Sequence, residues 1–299
     1  MSYPEFVAPG RYKKIVILRS DDAHHLYLER LLRPRFEVAA VVVEPAREQR
    51  RRLLTTRHRI DWLFSTYHLL RRRILGLDAY RWRYFSDLEA LPAPPCRVLS
   101  VGWINDPAVV SLLRETQPDL TITICTSILK QDVLAAAGTI INVHGGFLPY
   151  YRGNHCFFFP FYRGEFDKIG STLHFVDPGI DTGDIIENII PPIYTDDIPE
   201  KLYCRAEKIA IHRLVEWIEH WQEGGELPRC PQLSRHRLCR TRDRKPHHDL
   251  WCWLRRVTGR LAVPELPGPP LAPLVKLPTQ VFARGPGRPR QGERRATSE

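Results

Sequence analysis

The chain has seven cysteines, no two of them spaced C-x-x-C, and their number is odd. That pattern argues against a zinc ribbon and against a disulfide framework, and it favours a reducing, cytoplasmic setting. No apolar run approaches the length of about 18 residues that reads as a membrane span. The opening Met-Ser-Tyr-Pro-Glu-Phe lacks the basic-then-apolar layout of a signal peptide, so no membrane partner is expected. No activated serine or cysteine motif is present. His155-Cys156 invites a thiol reading, but the Phe157-Phe158-Phe159 run that follows predicts a buried helix with an inert sulfur.

Acidic residues are also short, 34 against 44 Lys and Arg, for a formal charge of +10. The excess is local. Residues 47–73 hold nine arginines against Glu48 and Asp61, and residues 235–260 hold eight arginines and a lysine against Asp243 and Asp249. Such blocks attract nucleic acid, phosphates or an acidic membrane surface, and solvated helix faces account for them equally. The sequence favours solvated faces.

At 299 residues with 43% hydrophobic content, the chain has room for one large domain and an appendage. Residues 13–18, 36–43, 98–101, 119–125 and 139–143 read as strands, the first followed by a helix over 21–32. The Arg-rich stretch 46–75 has helical spacing, with Leu53, Ile60, Leu63, Phe64, Leu69 and Leu70 on one side. Strands alternating with helices predict an α/β fold with a Rossmann-like, mostly parallel sheet covered on both faces. Residues 171–176 and 185–193 read as a strand pair. Residues 198–221 read as an amphipathic helix with Leu202, Ala206, Ile209, Leu214 and Trp217 inward, ended by Gly224-Gly225. The expected division is a catalytic domain over 11–225, a basic segment over 226–262 and a disordered Pro/Gly/Arg-rich tail over 263–299.

Chemistry concentrates between residues 141 and 184. Asn142-Val143-His144-Gly145-Gly146 is followed by Leu148-Pro149-Tyr150-Tyr151-Arg152-Gly153, then by Asp177-Pro178-Gly179-Ile180-Asp181-Thr182-Gly183-Asp184. Residues two apart on a strand point the same way, so Asn142 and His144 share one side of a strand end. Ligands of such sheets bind beyond the carboxyl ends of the strands. Glycines 145 and 146 leave the backbone bare for a ligand. An amide, an imidazole and a carboxylate suit acyl transfer between two nitrogens. The amide stabilises an oxyanion, the imidazole moves a proton near neutral pH, and the carboxylate balances the imidazolium.

These three linked motifs resemble the folate-dependent formyltransferases, which include glycinamide ribonucleotide, methionyl-tRNA and amino-sugar N-formyltransferases. The likeness is strongest over residues 119–190. It gives Asn142, His144 and Asp181 the places of the family's catalytic trio, with Asp181 chosen over Asp177 and Asp184 by motif position. It puts Ser127, Ile128 and Leu129, with Asp177 and Ile180, around N10-formyltetrahydrofolate as co-substrate, with no metal. His174 matches a family histidine behind the site, and Leu148-Pro149 falls where the family has a cis peptide. Tyr150, Tyr151, Arg152 and Asn105 are expected to contact the acceptor.

Two departures narrow the acceptor. The first strand runs into Arg19-Ser20-Asp21-Asp22 and not into the Gly-rich turn of the purine-pathway members. Residues after Gly225 are too basic and proline-rich for the C-terminal barrel of the methionyl-tRNA enzymes. The resemblance is therefore to the amino-sugar branch, with a nucleotide-linked amine as acceptor, no nucleic acid, and a homodimer as a permitted state. Methionyl-tRNA formylation, hydrolysis of formyltetrahydrofolate, and a nucleic-acid-binding protein with an inactive core remain as alternatives. Gly287-Arg288-Pro289-Arg290 is the sequence feature behind the last of these.

Overall fold

The computed structural model describes residues 13–88, 91–233 and 237–269. In chain order it builds β1 (Ile15–Arg19), α1 (Ala23–Leu32), β2 (Val38–Val43), α2 (Ala46–Thr55), α3 (Arg59–Ile74), α4 (Leu77–Tyr84), β3 (Arg97–Ser100), α5 (Pro107–Thr116), β4 (Leu120–Ile124), α6 (Gln131–Ala136) and β5 (Thr139–His144). Beyond these come β6 (Tyr151–Gly153), α7 (Phe158–Arg163), β7 (Ser171–Phe175), β8 (Ile185–Ile189), α8 (Pro199–Gln222), β9 (Arg237–Cys239) and α9 (Pro246–Val257). The main sheet has the order β3-β2-β1-β4-β5-β7-β8. Its first five strands pair in parallel, and β7 and β8 are antiparallel. This is the expected Rossmann-like α/β architecture.

Both faces of β1 are covered, as its unbroken apolar run requires. Ile15 and Ile17 join a core with α1 and α8, whereas Val16 and Leu18 join another with α5 and α6. α8 follows its sequence pattern, with Leu202, Ala206, Leu214 and Trp217 buried. Ile209 is only partly buried and packs at the margin of that core.

The Arg-rich stretch departs from expectation. It is broken into α2 and α3 by Arg57, a non-glycine residue at φ 62, and its apolar stripe does not enter the core. Ile60, Leu63 and Leu70 stay exposed, and His68 is the buried residue of α3. Nor are its arginines merely solvated. Arg72 pairs with Asp22 and Asp78 and Arg71 with Asp249, and beyond the stretch Arg81 of α4 pairs with Asp22 and Glu200.

The basic segment after Gly225 is built into the same body. β9 pairs in parallel with β6, and Cys239, Cys252, Leu261 and Val263 share a core with Phe158, Phe159 and Phe161 of α7. The expectation of disorder from residue 263 is corrected for 263–269, because the Leu266 N–H donates to the Ile193 carbonyl at 2.9 Å and the Leu266 carbonyl accepts from the Ile193 N–H at 2.8 Å. Residues 270–299, including Gly287-Arg288-Pro289-Arg290, lie outside the described residues.

Candidate active site

The carboxyl ends of β1, β4 and β5 open into a cavity of about 980 Å³. That lies near the upper end of the range typical of ligand sites, about 300–1,000 Å³. Asn142, His144, His174 and Asp181 all line it. Asn142 and His144 emerge side by side from β5, as strand periodicity requires. His174 stands opposite Asn142 in the antiparallel register of β7. Asp181 sits on the loop between β7 and β8 at φ 49, a left-handed conformation that aspartate tolerates better than most residues.

The hydrogen bonds define how the four groups are held. His174 Nδ1 lies 2.7 Å from the Phe175 carbonyl and must donate to it. Its Nε2 is therefore an acceptor, and Asn142 Nδ2 donates to it at 3.0 Å. The second amide proton of Asn142 faces Asp181 Oδ1 across a long 3.5 Å contact. By the same reasoning, His144 Nε2 donates to the Tyr151 carbonyl at 3.1 Å, leaving Nδ1 facing Asp181 Oδ2 at 3.5 Å. The Gly153 N–H donates to that Oδ2 at 2.8 Å.

These contacts set the charges. Burial pushes the His144 imidazole below its ordinary value, more than the Asp181 carboxylate raises it. Burial opposes the Asp181 charge, but His144, His174 and the Gly153 amide together hold its carboxyl well below the usual range. At neutral pH the pair is a neutral imidazole beside a carboxylate. Such a pair can take up a proton at His144 Nδ1.

Gly146 serves the imidazole more than a ligand. A Cβ there would lie 2.5 Å from His144 Nε2 and 2.8 Å from the Tyr151 carbonyl. Gly153, at φ +85, lets β9 approach: a Cβ would lie 2.3 Å from the Cys239 carbonyl.

The other expected residues divide. Ser127, Ile128, Leu129, Asp177 and Ile180 line the cavity. The Ser127 amide already donates to Glu44 Oε2 at 2.7 Å, and the Ile128 carbonyl accepts from Asn105 Nδ2 at 2.9 Å. Asn105 is thus a brace for the 127–130 loop, its Oδ1 accepting from the Lys130 N–H, and it does not wall the cavity. Tyr151 contributes its carbonyl, while its ring is buried and its hydroxyl donates to Glu165 at 2.6 Å and accepts from Arg163. Tyr150 stacks on Phe147 and also stands outside the wall. Arg152 donates to the Ile180 carbonyl at 3.3 Å, steadying the loop that carries Asp181. Cys156 is buried, with its thiol pushed well above the ordinary value. The Leu148-Pro149 peptide is cis.

Sequence reading missed the back of the cavity. His24 and His25 from α1 meet Cys125, which follows β4 at φ 53, and Tyr203 of α8. The donor atoms of His24, His25 and Cys125 lie within 4.8 Å of one another. His25 Nδ1, however, accepts the Asp22 N–H at 3.0 Å, and the Tyr203 hydroxyl bonds His24 Nε2 at 2.8 Å. The other ring nitrogens, His24 Nδ1 and His25 Nε2, are buried without a hydrogen-bond partner among the described residues. Only folding brings these segments together; no local spacing announces them.

A family model described as formyl transferase matches residues 13–218. The chain belongs to the formyl transferase family. A methionyl-tRNA formyltransferase of Acetivibrio thermocellus is 29% identical over 211 residues, covering 69% of this chain and 57% of that protein. One from Ruminiclostridium cellulolyticum is 33% identical over 155 residues, covering 48% and 49%. The chain spans about half the length of such relatives. Among solved structures, a 4-N formyltransferase from Francisella tularensis aligns with TM-score 0.51 at 15% identity, covering 87% of this chain and 99% of that chain. A candidate sugar N-formyltransferase from Mycobacterium tuberculosis aligns with TM-score 0.51 at 18% identity, covering 80% and 85%. At these identities the likeness is one of fold.

Proposed function

We propose that this formyl transferase moves a formyl group from N10-formyltetrahydrofolate to the primary amine of a small acceptor, a nucleotide-linked amino sugar. The observation that carries the reading is the meeting of Asn142 and His144, neighbours on one side of β5, with Asp181 from the β7–β8 loop around one cavity. In the proposed reaction the neutral amine nitrogen attacks the formyl carbon. The carbonyl oxygen gains negative charge as the C–O double bond opens. The weakly held second amide proton of Asn142 turns from Asp181 to that oxygen, while His174 keeps the side chain in place. The proton lost by the attacking nitrogen passes to the Asp181–His144 pair. From there it reaches the departing N10 of the folate as the C–N bond breaks. Ser127, Ile128, Leu129, Asp177 and Ile180 wall the space proposed for the pterin.

A small acceptor is favoured by the chain after Gly225. Its described residues form β9, a 3₁₀ turn and α9, and these pack back on the catalytic core. A second reading, methionyl-tRNA as acceptor, is favoured by the identity of the sequence relatives. Tetrahydrofolate release with a panel of nucleotide-linked amino sugars, against charged initiator tRNA, tests the two. Turnover with an amino sugar is expected. Turnover with the tRNA alone would transfer the reading to the second acceptor, and free formate without any amine would make the protein a hydrolase.

A further inference from the structure

We propose that α3 and α9 together form a docking surface for an anionic phospholipid bilayer. Ile60, Leu63, Leu70 and Ile74 fall on one side of α3 at helical spacing and are 61%, 58%, 51% and 81% exposed. Leu250, Trp253 and Val257 do the same on α9, beside the half-exposed Trp251, while Cys252 faces the core. The two stripes are joined at their edge. The Tyr67 hydroxyl, from within the α3 stripe, donates to Asp249 Oδ2 at 2.9 Å, and Arg71 and Arg244 hold the same carboxylate. Asp249 precedes Leu250, so this pairing joins the start of the α9 stripe to α3.

The occupant follows from charge and aromatic content. The outward cations are the exposed Arg59 and Arg73 of α3 and the partly exposed Arg255 and Arg256 of α9, since Arg71 and Arg72 are held by Asp249, Asp22 and Asp78. The two aspartates of these helices, Asp61 and Asp249, are already paired. A second copy docked about a two-fold axis would set this arginine rim against its own image, an unfavourable juxtaposition. An anionic headgroup layer complements it, and exposed Trp beside Leu and Ile is the composition that settles at a bilayer interface. Extended apolar faces are uncommon on monomers without a partner. The surface is peripheral: no helix among the described residues is long and apolar enough to cross a membrane. It borders the cavity, since His58, Asp61 and Arg242 line the cavity wall, so docking brings the cavity rim to the headgroup layer. The expectation of no membrane partner rested on single segments, and neither helix alone forms the surface.

Flotation of the full chain with vesicles tests this. Binding is expected to vesicles of phosphatidylcholine with phosphatidylglycerol, to fall with added salt, and to shift tryptophan emission to the blue. Leu70→Glu and Trp253→Glu, exposed positions outside the cavity, should each weaken binding about tenfold or more with unchanged circular dichroism and unchanged vesicle-free turnover. The proposal is overturned by failure to float with the anionic vesicles, or by undiminished binding of both variants. It is also overturned if sedimentation shows a dimer that the same two variants dissociate, which would give the surface to a second copy.

Discussion

Asn142 has one amide proton committed to His174 and the other weakly engaged, so its removal should cost transition-state stabilisation more than donor binding. Asn142→Ala is expected to lower kcat by about 10²–10³-fold, the range for removal of an oxyanion donor, with little change in donor KM. Steady-state kinetics decide it. Burial lowers the His144 pKa from 6.5 and Asp181 opposes that shift, so the acid limb of the kcat/KM profile should lie below pH 6.5. In Asp181→Asn the opposing charge is gone, and the limb should move further down with a lower plateau. A limb unmoved by that change would remove Asp181 from the proton path. Glu207 is a separate case. Burial pushes its carboxyl up to about 7, against which the Ser171 hydroxyl bond at 2.6 Å acts only partly. Its folded-state pKa is raised, so the folded state holds the proton more tightly, and stability falls as pH rises from 4.5 to about 7. The loss is at most about 3 kcal/mol. Glu207→Gln should flatten that slope in melts run between pH 4.5 and 8, and an unchanged slope would contradict the assignment.

Among the elements, α8 carries the longest apolar stripe and closes one face of the sheet. Leu214 on it is fully buried, and Leu214→Ala should lower unfolding free energy by about 2–5 kcal/mol in denaturant titration. A cost under about 1 kcal/mol would mean that the helix repacks. α8 was legible in sequence because its 3.6-residue pattern and its burial agree. α3 was not. It has the same kind of pattern, but its apolar side faces outward, and its place is set by Arg71, Arg72 and Tyr67 reaching partners distant in sequence. Periodicity reports that a helix has an apolar side, not what lies against it.

For the molecule as a whole, the described residues after Gly225 belong to the fold. A chain ending after 269, which keeps every described residue of this segment, is the reference. One ending after 262 loses Val263 and the Ile193–Leu266 pairing and should melt at a lower temperature. Calorimetry on the two distinguishes them, and equal melting would show the pairing to be dispensable. The sequence by itself determined the Rossmann-like sheet, the shared side of Asn142 and His144, and the loop bearing Asp181, because strand and helix periods and glycine-flanked turns are local properties. Tertiary structure alone decided that Asn105 and the Tyr151 ring would be braces, that His24, His25, Cys125 and Tyr203 would meet behind the site, and that the apolar stripe of α3 would face outward. Those outcomes depend on which distant groups satisfy each other's hydrogen bonds and charges, and that is settled only when the strands are laid side by side.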